Sequence, residues 1–122
     1  MIYTSYFAKN RTLEKANIVG VSIALYTPKY WRGVEFKKLA PTPDILEQYK
    51  QSRDPLIYQI RYRDEVLSKL DPHEVVKELK VLVGKRDVAL LCYETASSFC
   101  HRHIIAEWLT SHGIPCEEFR EV

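Results

Sequence analysis

Apolar and polar residues alternate and cluster so as to divide the chain into strand-like and helix-like stretches. Residues 2–7 alternate apolar or aromatic side chains with small polar ones before Lys9-Asn10-Arg11 breaks the pattern, which predicts a short strand and a turn. Residues 17–24, Asn-Ile-Val-Gly-Val-Ser-Ile-Ala, are β-branched and mostly apolar, the character of a central strand covered on both faces. No sustained period runs through residues 25–40, which read as a loop or irregular segment. Three helices are predicted next. Thr42-Pro43-Asp44 places a hydroxyl before proline, an N-cap with proline at the first helical position, and opens a helix to about residue 51. Asp54-Pro55 repeats the signal, and Leu56, Ile57, Ile60, Leu67 and Leu70 recur at helical spacing as the expected apolar face of the second helix. Asp71-Pro72-His73-Glu74 opens the third, with Glu74 three residues after the cap and Gly84 as its stop.

The run Val88-Ala-Leu-Leu-Cys92 predicts a buried strand that breaks into a polar loop and hands over to a helix ending at Gly113. Ile114-Pro115 leads into residues 116–121, a short polar strand expected at a sheet edge. Near-continuous apolar strands separated by helices imply an α/β fold. The expectation is a single domain over residues 1–122, with a mostly parallel sheet covered by helices in a Rossmann-like three-layer arrangement.

The strand-to-helix passage concentrates the reactive side chains. On a strand, residues two apart share a face at about 6.5–7 Å, so Cys92 and Glu94 are expected to point the same way. Ser97 or Ser98 is a candidate N-cap for a helix beginning near Phe99 or Cys100, which puts Cys100, His101 and Arg102 in its first turn. At about 100° per residue, His101 shares an arc with Ile104, Ile105, Trp108, Leu109 and His112, while His103 lies nearly opposite. A helix N-terminus beside an arginine favours a phosphate or carboxylate, and the same field lowers the pKa of a thiol such as Cys100. Glu94 could serve as a general base or hold His101 in one tautomer. Each residue also has a bland reading: Cys92 as core filling, Glu94 as an ion-pair partner of Arg102, His101 as a satisfied structural histidine. Cys116, remote in sequence, reads as structural.

Composition narrows the classes. The chain has 122 residues, 46% hydrophobic and 28% charged, and no apolar run approaches the ~20 residues that span a bilayer. Membrane insertion is not expected, and with no secretory signal pattern at the N-terminus the expected location is the cytoplasm. Three cysteines, an odd number without framework spacing, predict free thiols. A net charge of +2 gives a weak general field, so attraction for phosphate must come from local clusters.

Leu90-Leu91-Cys92-Tyr93-Glu94, followed by Cys100-His101-Arg102 and a helix, resembles the signature of the domain-of-unknown-function family 488, small bacterial, archaeal and phage proteins. Leu39-Ala40-Pro41 and a helix bearing Tyr58 and Tyr62 extend the resemblance over most of the chain from about residue 15. Many members carry an Asp and an Arg after the second strand, where this chain has Ser22-Ile23-Ala24. The resemblance implies the fold and the place of the site, and leaves the reaction open.

Two functions compete. In the first, an anion pocket at the strand ends binds or turns over a phosphorylated or nucleotide-like small molecule, with Cys92, Glu94, Cys100 and His101 around the reacting atom. Arg102, Ser97, Ser98 and Tyr62 would bind the ligand. A cysteine-phosphatase cradle is disfavoured, because ten residues separate Cys92 from Arg102 with no glycine between them. In the second, nucleic acid binds patches formed by Tyr58, Arg61, Tyr62 and Glu65, set opposite the apolar helix face, and by Lys29, Tyr30, Trp31, Arg32, Lys37 and Lys38. Zinc on Cys92, Cys100 and His101 is the weaker alternative, since the spacing is not a paired knuckle and His101 and His103 cannot both turn inward. The expectation is therefore no metal and no cofactor. A Cys92–Cys100 redox pair lacks a Cys-x-x-Cys motif.

Overall fold

The computed structural model describes residues 1–93 and 99–121. The elements are β1 (Ile2–Tyr6), α1 (Asn10–Lys15), β2 (Ile18–Ser22), β3 (Val34–Glu35), α2 (Pro43–Ser52), α3 (Pro55–Glu65), α4 (Pro72–Val83), β4 (Asp87–Cys92), α5 (His101–Ser111) and β5 (Cys116–Glu118). The five strands form one all-parallel sheet in the order β3-β2-β4-β1-β5. The short polar strand β5 lies at an edge, as its composition predicts.

Both faces of the sheet are covered, which is why β2 and β4 are nearly continuously apolar. On one face Val21, Ile23, Val88 and Leu90 pack with Ile45, Tyr58, Tyr62, Val75, Leu79, Ile104, Ile105 and Leu109 from α2 to α5. On the other, Ala89 and Leu91 pack with Leu13 of α1 and with Phe7, Ile18 and Ala24. This is a three-layer α/β domain. Close approach at the second face fixes Gly20, where a Cβ would stand 2.5 Å from Asn10 Oδ1 and 2.7 Å from Leu91 Cδ1.

The capping signals operate as read. Thr42 Oγ1 accepts from the Ile45 N–H at 3.2 Å, Asp54 from Leu56 at 3.0 Å, and Asp71 from His73 and Glu74 at 2.8 and 3.3 Å. Gly84, at φ 70°, ends α4.

Three expectations change. The break at residues 9–11 is the start of α1 rather than a turn, and the irregular segment contains the two-residue strand β3. The predicted apolar face of α3 is not its buried face: Leu56 and Ile60 are 62% and 59% exposed, whereas Tyr58 and Tyr62 are buried. The helix stops at Glu65, and Leu67 belongs to a following 3₁₀ turn. Sheet and neighbouring helices thus select the tyrosine face, because a buried ring removes more apolar surface than an aliphatic chain does.

Among the described residues, no helix is long and apolar enough to cross a membrane.

Candidate functional site

β4 runs between β1 and β2 and hands over to α5, so the site gathers at the carboxyl end of β4 beside those of its two neighbours. Cys92, the last residue of β4, stands there in register with Tyr6 of β1. It shares strand parity with Val88 and Leu90 and so belongs to the α5 face. The N-cap of α5 is Cys100, in extended conformation, with His101 and Arg102 as the first two helical residues. Ser97 and Ser98, the candidate caps, and Glu94 lie outside the described residues.

Cys92 and Cys100 stand in disulfide contact, with Cα atoms 7.2 Å apart, so the expectation of free thiols does not hold for this pair. Cys100 Sγ is 3.7 Å from His101 Nδ1. The other ring nitrogen, Nε2, lies 2.9 Å from the carbonyl oxygen of Ile23 beyond β2. A carbonyl only accepts, so Nε2 carries the proton and Nδ1 turns a lone pair towards the sulfur. Burial pushes the His101 pKa down to about 4, against the opposing pull of the Ile23 hydrogen bond and with help from the Arg102 charge. The imidazole is therefore neutral near pH 7. The Tyr62 ring packs edge-on against it, centroids 5.4 Å apart, and the Tyr62 hydroxyl donates to the Leu39 carbonyl at 2.6 Å. Burial raises the Tyr62 pKa well above that of an ordinary phenol.

Arg102 has no solvent exposure. Its Nε and Nη2 donate to the two carboxylate oxygens of Glu118 in β5, each at 3.1 Å, and its Nη1 donates to Cys92 Sγ at 2.9 Å. The guanidinium also sits over the Tyr6 ring at 5.7 Å. Glu118 in turn accepts from Thr4 Oγ1 at 2.7 Å. The described partner of Arg102 is thus a carboxylate from the edge strand, and the guanidinium faces a sulfur of the pair.

A cavity of about 130 Å³ adjoins these groups. Cys92, Cys100 and His101 lie on one side of it, and Tyr49, Tyr58 and Phe99 are among its aromatic lining. These three rings contact one another at centroid distances of 5.0–5.5 Å. Cys92 Sγ, Cys100 Sγ and a ring nitrogen of His101 lie within 4.8 Å of one another, all three residues buried, and form a potential metal-ligating group.

The structure therefore joins Cys92, Cys100, His101 and Arg102 in one place and sets Tyr62 behind His101. Glu118, Tyr49 and Phe99 escaped the sequence reading. The i,i+4 pair Tyr58 and Tyr62 was the available signal for an aromatic wall.

Several side chains of the stretches read as nucleic-acid patches make contacts within the chain, while Tyr30 is exposed. Tyr58 and Tyr62 are core, and Arg61 donates to Glu65 at 2.6 Å and to Gln48 at 2.7 Å. Trp31 Nε1 donates to the Val34 carbonyl at 3.1 Å, and Lys37 and Lys38 pair with Glu35 and Glu78.

No curated protein and no solved structure matches the chain. The sequence model described as the active DUF488-N3 subclade, DUF488-N3a, matches residues 8–113, which include Tyr62, Cys92, Cys100, His101 and Arg102 and leave out Thr4, Tyr6 and Glu118. The chain belongs to that family.

Proposed function

We propose that the protein binds and turns over a small phosphorylated or nucleotide-like molecule at the carboxyl ends of β2 and β4. The observation that supports this reading is the cavity itself. At about 130 Å³ it takes in part of such a molecule rather than the whole, and it is lined by Tyr49, Tyr58 and Phe99 together with Cys92, Cys100 and His101. Tyr58 meets Tyr49 and Phe99 edge-on, Tyr49 and Phe99 are tilted at 38° to each other, and such a wall offers a planar base or sugar face a stacking surface. The start of α5 borders the same space through Cys100 and His101, and the partial positive charge of a helix N-terminus favours a phosphate or carboxylate.

In this reading Arg102 is a positioning residue rather than the ligand's main anion partner. It pairs with Glu118, and it also holds Cys92 and lies over the Tyr6 ring. A neutral His101 with a bare Nδ1 offers a lone pair for hydrogen bonding or metal ligation.

The experiment is a thermal-shift panel of nucleoside monophosphates, nucleoside diphosphates and sugar phosphates, followed by calorimetry on any hit. At least one panel member raises the Tm of the wild type, and Phe99→Ala weakens its binding about tenfold or more by removing one wall of the stack. A panel without any shift at millimolar ligand, or a hit whose affinity Phe99→Ala leaves unchanged, contradicts the reading.

A further inference from the structure

We infer that Cys92 Sγ, Cys100 Sγ and His101 Nδ1 form a binding site for one zinc ion, with the fourth coordination position turned towards the aromatic cavity and taken by water.

Three donor atoms converge here, and each is oriented for an ion. Two buried sulfurs and an imidazole nitrogen lie within 4.8 Å of one another. Zinc binds thiolate sulfur at about 2.3 Å and imidazole nitrogen at about 2.0–2.1 Å, so tetrahedral angles place the two ligand atoms about 3.5 Å apart. Cys100 Sγ and His101 Nδ1 stand 3.7 Å apart. The imidazole has the tautomer a metal requires, because its proton is held on Nε2 by the Ile23 carbonyl at 2.9 Å, leaving Nδ1 bare. That backbone acceptor is the usual outer-shell partner of a zinc-ligating histidine. Arg102 Nη1 donates to Cys92 Sγ at 2.9 Å, and a cationic donor stabilises sulfur as thiolate.

Two sulfurs that converge can instead oxidise to a disulfide. Cys92 and Cys100 are joined in this way in the structure, with Cα atoms 7.2 Å apart against the usual span of about 4.4–6.8 Å, so it is the reduced pair that takes the ion. Charge agrees: two thiolates balance a divalent cation, and among the described residues Arg102 is matched by Glu118. Among the described residues no fourth Cys, His, Asp or Glu joins the group, and three protein ligands with an open position is the pattern of catalytic rather than structural zinc. All three ligands border the cavity, which gives the open position its outlet. The site stands on these atoms alone and does not depend on which molecule the cavity binds.

The test uses the full chain, reduced and stripped of metal, with zinc and cobalt(II) as the probes. Wild-type protein takes up one equivalent of either ion. The cobalt form shows the visible bands of a tetrahedral ion together with near-ultraviolet thiolate charge transfer, and zinc displaces it. Cys92→Ser and Cys100→Ser each weaken the charge-transfer band. If neither variant folds by circular dichroism, the wild-type spectrum decides. Failure of the folded, reduced wild type to bind either ion overturns the site, as does bound cobalt without thiolate charge transfer. Uptake that is unchanged in a folded Cys92→Ser, Cys100→Ser double variant overturns it as well.

Discussion

Arg102 carries a full positive charge into a place with no solvent exposure, and the bidentate contact with Glu118 makes that tolerable. Removing one partner of such a pair is costly because the other charge keeps its desolvation penalty. Glu118→Ala should lower unfolding stability by about 3 kcal/mol in a denaturant titration. A loss within 0.5 kcal/mol would mean that the pair contributes little to the fold. Cys116 gives a second prediction at this scale. Burial, reinforced by Glu118 and Glu117, raises its thiol from 9.0 to about 12. The folded protein holds the proton more tightly than the unfolded chain, so the contribution to stability is complete below pH 9 and fades as pH rises towards 12. Relative to Cys116→Ala, the wild type should lose additional stability across that window, with no difference below it. Parallel pH profiles of the two proteins would contradict the assignment.

At the scale of elements, much was legible from local signals and the rest depended on partners. Thr42, Asp54 and Asp71 announced three helices because capping is settled within four residues. The short helix α1 went unread because its cap, Lys9, makes no side-chain hydrogen bond and it buries Leu13 alone. On α3 the aliphatic periodicity pointed to Leu56 and Ile60, while the sheet and neighbouring helices chose Tyr58 and Tyr62. Which face is buried is a property of the neighbours, and no window along one helix contains them. Leu56→Lys and Ile60→Lys should therefore each change stability by no more than about 0.5 kcal/mol, whereas Tyr62→Ala should cost about 3–5 kcal/mol. Thermal or chemical unfolding distinguishes the two faces, and a large loss at Leu56 would restore the aliphatic face as the buried one.

Across the whole molecule, the site is assembled from pieces that only the sheet order brings together. Cys92, Cys100, His101 and Arg102 were recognisable as a group because one strand-to-helix passage carries them. Glu118 was not, since sixteen residues separate it from Arg102 and the contact exists only because β5 pairs with β1. The Ile23 carbonyl that sets the His101 tautomer comes from the far side of β4, seventy-eight residues away. The spacing argument against zinc weighed His101 with His103; in the folded chain the neighbour that matters is Cys100, whose extended N-cap backbone sets its sulfur beside the His101 ring. Tyr49 and Phe99 meet because α2 and the approach to α5 border one cavity.

The most direct test of the central claim, that this cavity is where the ligand is held, is a crystal structure of the protein with the tightest-binding member of the nucleotide and sugar-phosphate panel. The expected result is the planar or sugar face of that molecule against the wall formed by Tyr49, Tyr58 and Phe99, with its phosphate at the first turn of α5. Density for the molecule at the basic segment around Lys29, Tyr30 and Arg32, with the cavity wall untouched, would contradict it.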